Sequence, residues 1–341
     1  MNDARALAQH ESVADLQRLA RQHASTLARR MAQDATEHWK DVPLAVVGAW
    51  SICGHPLYAY PEIAGYWLQW ASARTDIDDC ALVGILRWLQ SVQNRNGLWP
   101  TRIGLAQPVQ SDYQKHQFLF DHAILRRGVA SVLQARGIAF AQELLQSLDG
   151  GFGAWQLQGR FQACIPETTP GEQRWSQHSG PFLLKARAAT QALTPWCDAL
   201  ARDCPASAAI SHPHPQTHPQ LYAVEGLIGL GDMVRAKIAW GKLKSQVDDQ
   251  GLLSESVEGR GPLRSDILAQ ALRVAIILEG FTAVCAAQKL RRMCLQLVSR
   301  IEGERMPFVP GGTPIAWAAI FANQALNAFA QGGWFEHEVI I

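Results

Sequence analysis

The sequence predicts an all-α protein in which about six helical hairpins form an (α/α)6 toroid, with an inner and an outer ring of helices. Three observations indicate this fold class. Helix-period apolar patterns run almost from end to end of the 341 residues. Gly-containing turns interrupt them about every 50 residues, a spacing typical of helical repeats. Between the turns, an amphipathic class of helix alternates with a class that is apolar almost all round.

Nothing in the sequence divides the chain into separate domains. The hydrophobic content is 48%, and no linker rich in Pro, Gly or Ser, charge block or low-complexity tract interrupts the helical pattern. We therefore expect residues 1–341 to form a single toroid domain, with about the first 10 residues disordered.

The repeat is clearest in the turns that follow the amphipathic helices. The four turn segments are 87–100 (RWLQSVQNRNGLWP), 143–155 (ELLQSLDGGFGAW), 242–256 (KLKSQVDDQGLLSES) and 297–312 (LVSRIEGERMPFVPGG). Their glycines are Gly97, Gly151, Gly251 and Gly303. Because glycine tolerates positive φ, we expect these four residues to act as C-caps.

The two classes of helix predict two concentric layers. The amphipathic class, expected to form the outer ring, comprises 13–33, 80–93, 139–148, 195–203, 232–246 and 282–301. The apolar class, expected to be buried, comprises 61–72, 117–134, 179–193, 218–230, 265–279 and 314–329. In a toroid of such hairpins the inner helices run parallel, so their N-termini gather on one rim. We expect any functional site to lie on that rim, where helix N-termini also favour anionic groups.

Charge and composition exclude several classes of function. The 31 basic and 30 acidic residues give a net charge of +1 and no basic stripe, which argues against nucleic-acid binding. No apolar run reaches the roughly 18 residues of a membrane span, and the first residues lack the apolar core of a signal peptide. The seven cysteines include no CxxC pair. We therefore expect a cytoplasmic protein without a cofactor.

Aromatic and titratable residues cluster at the six predicted inner N-termini. This combination is what a sugar-binding cleft needs, because aromatic faces stack on pyranose rings and titratable groups transfer protons. The residues expected to take part in catalysis are Glu62, Asp121, His178, His218 and Tyr222. The residues expected to bind substrate are Tyr60, Tyr66, His122, Trp175, Lys185, Arg187, Glu225, Asp266 and Trp317.

These residue types suggest distinct roles. Glu62 and Asp121 are the expected acid/base carboxylates, and His178 and His218 the proton-transfer or orienting groups. Lys185 or Arg187 is suited to hold a substrate carboxylate. Two carboxylates suit hydrolysis, whereas a Tyr/His pair suits proton abstraction by a lyase or an epimerase, so the reaction type stays open.

A dense histidine segment raises the question of a metal. His212, His214 and His218 lie within HPHPQTH, which has the density of a metal site. Two prolines stiffen this segment, however, and no cysteine or carboxylate accompanies it at ligand spacing. We interpret it as a loop that enters a helix, and expect no metal.

Asp76-Ile77-Asp78-Asp79 matches the DxDD motif of class II terpene cyclases, in which the middle acid protonates an alkene or an epoxide. Trp88, Gln93, Gly97 and Trp99 also fit the Gln–Gly–Trp turn of that superfamily, a resemblance that supports a toroid. Because only a short segment separates Asp79 from Trp88, DIDD opens an outer helix, on the face opposite the inner N-termini. We therefore interpret its acids as a helix N-cap and first turn.

A second resemblance covers about residues 56–330. The segment YPEIAGYWLQWA resembles the YPEVTGY helix of bacterial helical-toroid proteins encoded among polysaccharide-biosynthesis genes. FLFDHAILRRGV is similar to their FDTGQ helix, with Asp121-His122-Ala123 at its centre. HPQLYAVEGLIGLG resembles their HTIAYTLRGLLE helix, with Tyr222 matched and Glu225 where the group often has Arg. Further similar segments, in the same order, are WLQSVQNRNGLWP, HSGPFLLKARAATQAL and PIAWAAIFANQAL.

Related toroids include unsaturated-glucuronyl hydrolases, polysaccharide lyases and sugar epimerases, so the resemblance implies a saccharide ligand. The leading hypothesis is a carbohydrate-active enzyme of polysaccharide biosynthesis or modification. The alternatives are an isoprenoid cyclase that uses Asp78 and a non-catalytic toroid that binds a ligand or a peptide.

Overall fold

The computed structural model describes residues 12–36, 44–105, 116–157, 160–161, 180–191, 193–203, 206, 215–281 and 284–333. Its twelve α-helices in these ranges are α1 (Val13–Thr36), α2 (Pro61–Ser72), α3 (Asp79–Ser91), α4 (Leu119–Arg136), α5 (Ala139–Gly151), α6 (Pro181–Ala189), α7 (Thr194–Asp203), α8 (Thr217–Gly229), α9 (Met233–Lys244), α10 (Ser265–Glu279), α11 (Val284–Val298) and α12 (Ala316–Gln331). All twelve predicted helices are therefore confirmed. The largest difference is in α6, which ends at Ala189 rather than near residue 193.

The two predicted classes of helix differ in burial as expected. Every residue of the inner helix α2 is buried, whereas the outer helix α5 buries only Ala141, Leu144 and Leu148. An α-helix exposes one face unless neighbours cover it on all sides. The all-round apolar pattern of α2 therefore corresponds to a helix that is covered on every side.

The chain divides into two compact units. The first unit comprises residues 32–209 and 341, and the second comprises residues 1–31 and 210–340. In the first unit the inner helices α2, α4 and α6 pack side by side, and in the second unit α8, α10 and α12 do the same. The outer helices α3, α5 and α7 of the first unit, and α9 and α11 of the second, pack against inner helices of their own unit. A single domain over residues 1–341 stays a prediction.

A small antiparallel sheet, which the sequence pattern did not reveal, precedes and follows the first hairpin of the first unit. Strands β1 (Val47–Trp50), β2 (Pro56–Ala59) and β3 (Ile103–Gly104) pair in the order β1-β2-β3, and a two-residue pair, β4 (Gln156–Leu157) and β5 (Arg160–Phe161), lies after α5. These strands are too short to give a detectable alternation of side chains. Strand β2 leads directly to Tyr60 at the N-cap of α2.

Three of the four predicted turn glycines have the expected positive φ, but none of the four is a helix C-cap, so the C-cap prediction is wrong. Gly97, Gly251 and Gly303 have φ of +78°, +82° and +62°, but they lie in reverse turns beyond the ends of α3, α9 and α11. The turns of Gly97 and Gly251 share one hydrogen-bond pattern, in which the glycine N–H donates to the carbonyl three residues earlier. Gly151 contradicts the prediction, because it is the last residue of α5 and has a φ of −75°.

Two glycines let the inner helices α2 and α4 approach closely. A Cβ added at Gly65 would lie 2.6 Å from the carbonyl oxygen of Ile124, and one added at Gly128 would overlap the carbonyl oxygen of Gly65. Both obstacles are backbone atoms, which cannot move aside as a side-chain end can. The spacing of α2 and α4 therefore depends on glycine at both positions.

His122 lies in the packed contact between α4 and α5. Its ring centroid lies 4.5 Å from that of Trp155, 5.2 Å from that of Phe152 and 5.5 Å from that of Trp99. Its Nε2 lies 3.0 Å from the carbonyl oxygen of Leu148 and donates a hydrogen bond to it. Burial lowers the pKa of His122 to about 4, so the imidazole is neutral in the folded protein.

Substitution of Gly128 by alanine is expected to lower the free energy of unfolding by about 1–3 kcal/mol or more, because the new Cβ overpacks against the backbone of α2. Gly150→Ala is the matched control in the same unit, since nothing lies within 4 Å of its added Cβ. That variant should be as stable as the wild type or slightly more stable. Urea unfolding measures both, and equal stability of Gly128→Ala and wild type would contradict the close approach.

His122 is expected to make the protein less stable as the pH falls from 6.5 to 4. In this window the unfolded chain binds a proton on His122 that the folded protein excludes. The free energy of unfolding therefore falls by about 3 kcal/mol by pH 4. His122→Gln keeps a donor for the Leu148 carbonyl but does not titrate, so its stability should change less over the same window.

Urea unfolding at pH 7, 5.5 and 4.5 gives the comparison. His55→Gln, the same change on an exposed side chain, should keep the wild-type pH dependence. Parallel curves for His122→Gln and wild type would show that the imidazole is not excluded from protonation.

Candidate active site

Polar side chains in the first unit meet at the N-terminal ends of the inner helices. We name Tyr60, Glu62, Asp121, Lys185 and Arg102 the carboxylate cluster. Tyr60 is the N-cap of α2, Glu62 and Asp121 lie in the first turns of α2 and α4, and Lys185 lies on α6. The three inner helices of this unit therefore each supply at least one member.

Packing of α2 against α4 brings the two carboxyl groups together. Gly65 contacts the backbone of Ile124 and Leu125. Glu62 and Asp121 each lie one turn before these contact points, and the charge of Asp121 acts on Glu62. Both side chains are buried, with exposed fractions of 5% for Glu62 and 8% for Asp121.

The surroundings of Glu62 favour its protonated form. Burial is the largest cause of the rise of its pKa well above the usual range, and the negative charge of Asp121 raises this pKa further. A hydrogen bond from the Tyr60 hydroxyl and the positive charges of Lys185 and Arg102 act in the opposite direction and are outweighed. Two carboxyl groups that share a water-free site cannot both ionise at low cost. One of them therefore stays protonated and can act as an acid, while the other can act as a base.

Aromatic rings hold the two cations of the cluster. The Lys185 side chain is fully buried, and its Nζ lies 5.1 Å from the ring centroid of Tyr66. The guanidinium of Arg102 lies 4.7 Å from the ring centroid of Tyr58 and 5.7 Å from that of Tyr60. Cation–π contacts of this kind stabilise a positive charge where water is excluded.

A second group of polar residues lies in the second unit, on α8 and at the start of α10. We name His218, Glu225, Arg264, Asp266 and Gln270 the histidine cluster. His218 Nδ1 lies 2.5 Å from Gln270 Oε1 and 3.7 Å from Asp266 Oδ2. Burial lowers the pKa of His218 to about 4 despite the nearby charge of Asp266. The imidazole is therefore neutral near pH 7, and its side chain keeps an exposed fraction of 13%.

Asp266 in the histidine cluster is ionised although it is fully buried. Burial alone would raise its pKa, but Arg264 outweighs this effect and lowers it. Arg264 binds both carboxylate oxygens, with Nε to Oδ1 at 3.1 Å and NH2 to Oδ2 at 2.7 Å, and also reaches Glu255. Trp317 Nε1 donates to Asp266 Oδ2 at 3.0 Å. The predicted binding residues Asp266 and Trp317 thus lie together.

Two further predicted residues pack around this cluster. The ring of Tyr222 lies against His218, with centroids 4.4 Å apart, and also contacts Phe321. Glu225 is fully buried and forms an ion pair with Arg273, which also binds Gln324. His218, Tyr222, Glu225 and Asp266 are therefore brought together.

Other predicted site residues lie elsewhere. His122 is enclosed by aromatic rings between α4 and α5 and does not join the carboxylate cluster. Arg187 is half-buried in the last turn of α6, where its carbonyl accepts a hydrogen bond from Thr190 Oγ1 at 3.2 Å. Binding by His122 and Arg187 stays a prediction. Trp175, His178, His212 and His214 lie outside the described residues.

The DIDD acids occupy the start of the outer helix α3. Asp78 is the N-cap, and its Oδ1 accepts a hydrogen bond from the backbone N–H of Cys80 at 2.9 Å. Asp76 pairs with Arg74 at 2.6 Å and Asp79 with Arg136 at 3.2 Å, and both carboxylates are exposed. This is the N-cap and first turn that the sequence predicts.

Several polar partners were not selected from the sequence. No sequence feature points to Arg102, because it lies in a loop before β3. Gln270 and Arg273 could have been found from the sequence. They follow Asp266 by four and seven residues, so all three lie on one face of a helix that is otherwise apolar. Polar residues at this spacing on a buried helix must find partners.

None of the helices in the described part of the chain is long and apolar enough to span a membrane. Within the same residues, no group of three or more His, Cys, Asp or Glu side chains has the arrangement of a metal site.

Comparison with protein families gives no matching family model, and comparison with curated protein sequences gives no match. Solved structures, in contrast, match over almost the whole chain. Cellobiose 2-epimerase from Spirochaeta thermophila superposes with a TM-score of 0.61 at 13% identity and covers 92% of this chain and 97% of its own. An unsaturated glucuronyl hydrolase from a Bacillus species gives 0.60 at 14% identity, with 90% and 96% covered.

A type II terpene cyclase from Scytonema gives a TM-score of 0.60 at 12% identity, with 92% and 98% covered. At such identities these likenesses concern the fold alone, and a fold does not determine a reaction. They confirm the resemblance to helical toroids that the sequence motifs indicate. The chain has the all-α, (α/α)6 toroid fold.

Proposed function

We propose that this protein is a carbohydrate-active enzyme of polysaccharide biosynthesis or modification, with Glu62 and Asp121 as its acid/base pair. The observation that carries the proposal is the pair itself, because two buried carboxyls lie on adjacent inner helices and one has a raised pKa. A raised pKa prepares Glu62 to donate a proton, and Asp121 is the partner that accepts one.

In a hydrolytic reaction the roles follow from this asymmetry. The Glu62 carboxyl protonates the oxygen of the breaking C–O bond, and the Asp121 carboxylate takes a proton from the attacking water. Tyr60, which hydrogen-bonds to Glu62, holds its carboxyl in place. The cations Lys185 and Arg102 lower the cost of a negative charge in the cluster and suit a saccharide that bears a carboxylate.

A second candidate function is epimerisation or isomerisation of a sugar, and His218 favours it. A neutral imidazole can remove a proton from a carbon next to a carbonyl, and the ionised Asp266 nearby would stabilise the imidazolium that forms. The two candidates use different clusters, so substitution can separate them.

Support from known structures is at the level of fold. Toroids of similar structure include a cellobiose 2-epimerase and an unsaturated glucuronyl hydrolase, so cellobiose and unsaturated glucuronyl disaccharides are the first probes. The cyclase alternative requires Asp78 as a proton donor, but Asp78 caps an outer helix and accepts a backbone hydrogen bond. The non-catalytic alternative and the cytoplasmic location stay predictions.

The acid/base proposal predicts that Glu62→Gln and Asp121→Asn each lower kcat by about 100-fold or more, the usual contribution of a positioned acid or base. The probes are unsaturated glucuronyl disaccharides and cellobiose, incubated in H2¹⁸O and in D2O. With cellobiose, hydrolysis places ¹⁸O in the released sugar, whereas epimerisation places deuterium on the carbon next to the carbonyl. The unsaturated disaccharide reports turnover only, because protonation of its C=C bond also places deuterium on carbon. Mass spectrometry distinguishes the two.

Asp78→Asn is the matched control, since asparagine also caps helices well. It should retain saccharide turnover, whereas an isoprenoid cyclase that uses Asp78 would be inactivated. Full turnover in both Glu62→Gln and Asp121→Asn would refute the acid/base assignment. Deuterium on carbon, lost in a His218→Asn variant alone, would select the second candidate.

A further inference from the structure

A continuous chain of buried polar side chains links the three inner helices of the second unit. It runs from His218 on α8 to Gln270 on α10, back to Glu225 on α8, then to Arg273 on α10 and Gln324 on α12. Gln270, Glu225 and Arg273 are fully buried. Buried polar groups are costly unless they are hydrogen-bonded, so the donors and acceptors of this chain have to alternate correctly.

The ion pair fixes the direction of the chain. Arg273 only donates hydrogen bonds, and it binds one carboxylate oxygen of Glu225 through its NH2 and the amide oxygen of Gln324 through its NH1. The other carboxylate oxygen of Glu225 lies 3.4 Å from Gln270 Nε2. A carboxylate only accepts, so the NH2 end of the Gln270 amide has to face Glu225.

The orientation of Gln270 then decides which nitrogen of His218 carries a hydrogen. Since the NH2 end faces Glu225, the carbonyl Oε1 faces His218 Nδ1, at 2.5 Å. A carbonyl oxygen only accepts, so Nδ1 has to be the donor. In a neutral imidazole the other nitrogen, Nε2, then carries the lone pair.

Charged groups around His218 are compatible with this state. Asp266 Oδ2 lies 3.7 Å from the same Nδ1 and places a negative charge beside the amide oxygen of Gln270. Arg264 neutralises much of the charge of Asp266 through its two hydrogen bonds. Glu225 acts from the same helix, and Tyr222 covers one face of the ring.

We propose that Gln270 is a positioning residue, which holds His218 as the Nδ1–H tautomer and so makes Nε2 the proton-accepting atom towards a saccharide substrate. The inference rests on the second candidate function for its chemistry, but the tautomer itself is a property of the protein without substrate. Glu225, held in place by Arg273, acts through Gln270 and needs no contact with the substrate. At metal and catalytic sites, a hydrogen bond to one ring nitrogen of a histidine fixes its tautomer in the same way.

The test is ¹⁵N NMR of the full chain labelled in its histidines, near pH 7 and without ligand. The signals of His218 are identified by their loss in His218→Asn. We expect Nδ1 to have the chemical shift of a protonated nitrogen and Nε2 that of an unprotonated one. A His218 that is Nε2–H, or doubly protonated, in the wild-type spectrum would overturn the proposal.

Variants at Gln270 and Gln324, the glutamines nearest to and farthest from His218, sharpen the test. Gln270→Met keeps the length of the side chain but removes the acceptor, so His218 should shift towards a mixture of tautomers. Gln324→Met is the matched control, because it removes only the partner beyond Arg273 and should leave the spectrum of His218 unchanged. An unaltered tautomer in folded Gln270→Met would overturn the positioning role, and if that variant does not fold, the wild-type spectrum decides.

Activity gives an independent readout. If the second candidate function holds, Gln270→Met should lower kcat for deuterium exchange on cellobiose by at least about 10-fold with little change in KM, because an incorrect tautomer removes the base but not the binding contacts. Absence of any saccharide turnover would refute the proposed function but would not change the tautomer of His218 that the NMR spectrum reports. An Nε2–H tautomer of His218 would refute the positioning role of Gln270 and leave the acid/base role of Glu62 and Asp121 intact.

Discussion

The close backbone contact between α2 and α4 is the constraint on which the carboxylate cluster depends. Gly65 and Gly128 have no side chain at the point where the two helices touch, and this contact sets the separation of the first turns. Glu62 and Asp121 lie in those turns, so their mutual repulsion follows from how the helices pack. Larger residues at the two glycines would move the carboxyls apart and weaken the coupling that raises the pKa of Glu62.

The two clusters solve the problem of buried charge in opposite ways. In the first unit, Glu62 has a raised pKa because burial and Asp121 outweigh the neighbouring cations. In the second unit, Asp266 has a lowered pKa because Arg264 binds both of its oxygens. The inner helices therefore carry a carboxyl that favours protonation and one that favours ionisation, although both are buried. Environment, rather than residue type, gives each acid its chemistry.

The fold alone does not choose a reaction, since an epimerase, a hydrolase and a terpene cyclase superpose on this chain about equally well. What separates the possibilities is the position of particular side chains. The DIDD acids are used as an N-cap and in exposed ion pairs, whereas buried titratable groups gather at the inner helices. This distribution favours saccharide chemistry over protonation of an alkene.

The sequence by itself determined the twelve helices, their two classes and the placement of Glu62, Asp121 and Asp266 near the N-termini of inner helices, because helix period and glycine turns are local properties of the chain. Only the tertiary structure decided that Glu62 meets Asp121, that His122 packs among aromatic rings, and that Gln270 and Arg273 support His218. These partners belong to different helices, and the register between helices depends on packing over the whole interface, which no local pattern encodes. The short strands and the helical φ of Gly151 escaped prediction for the same reason, since the surrounding structure overrides weak local preference.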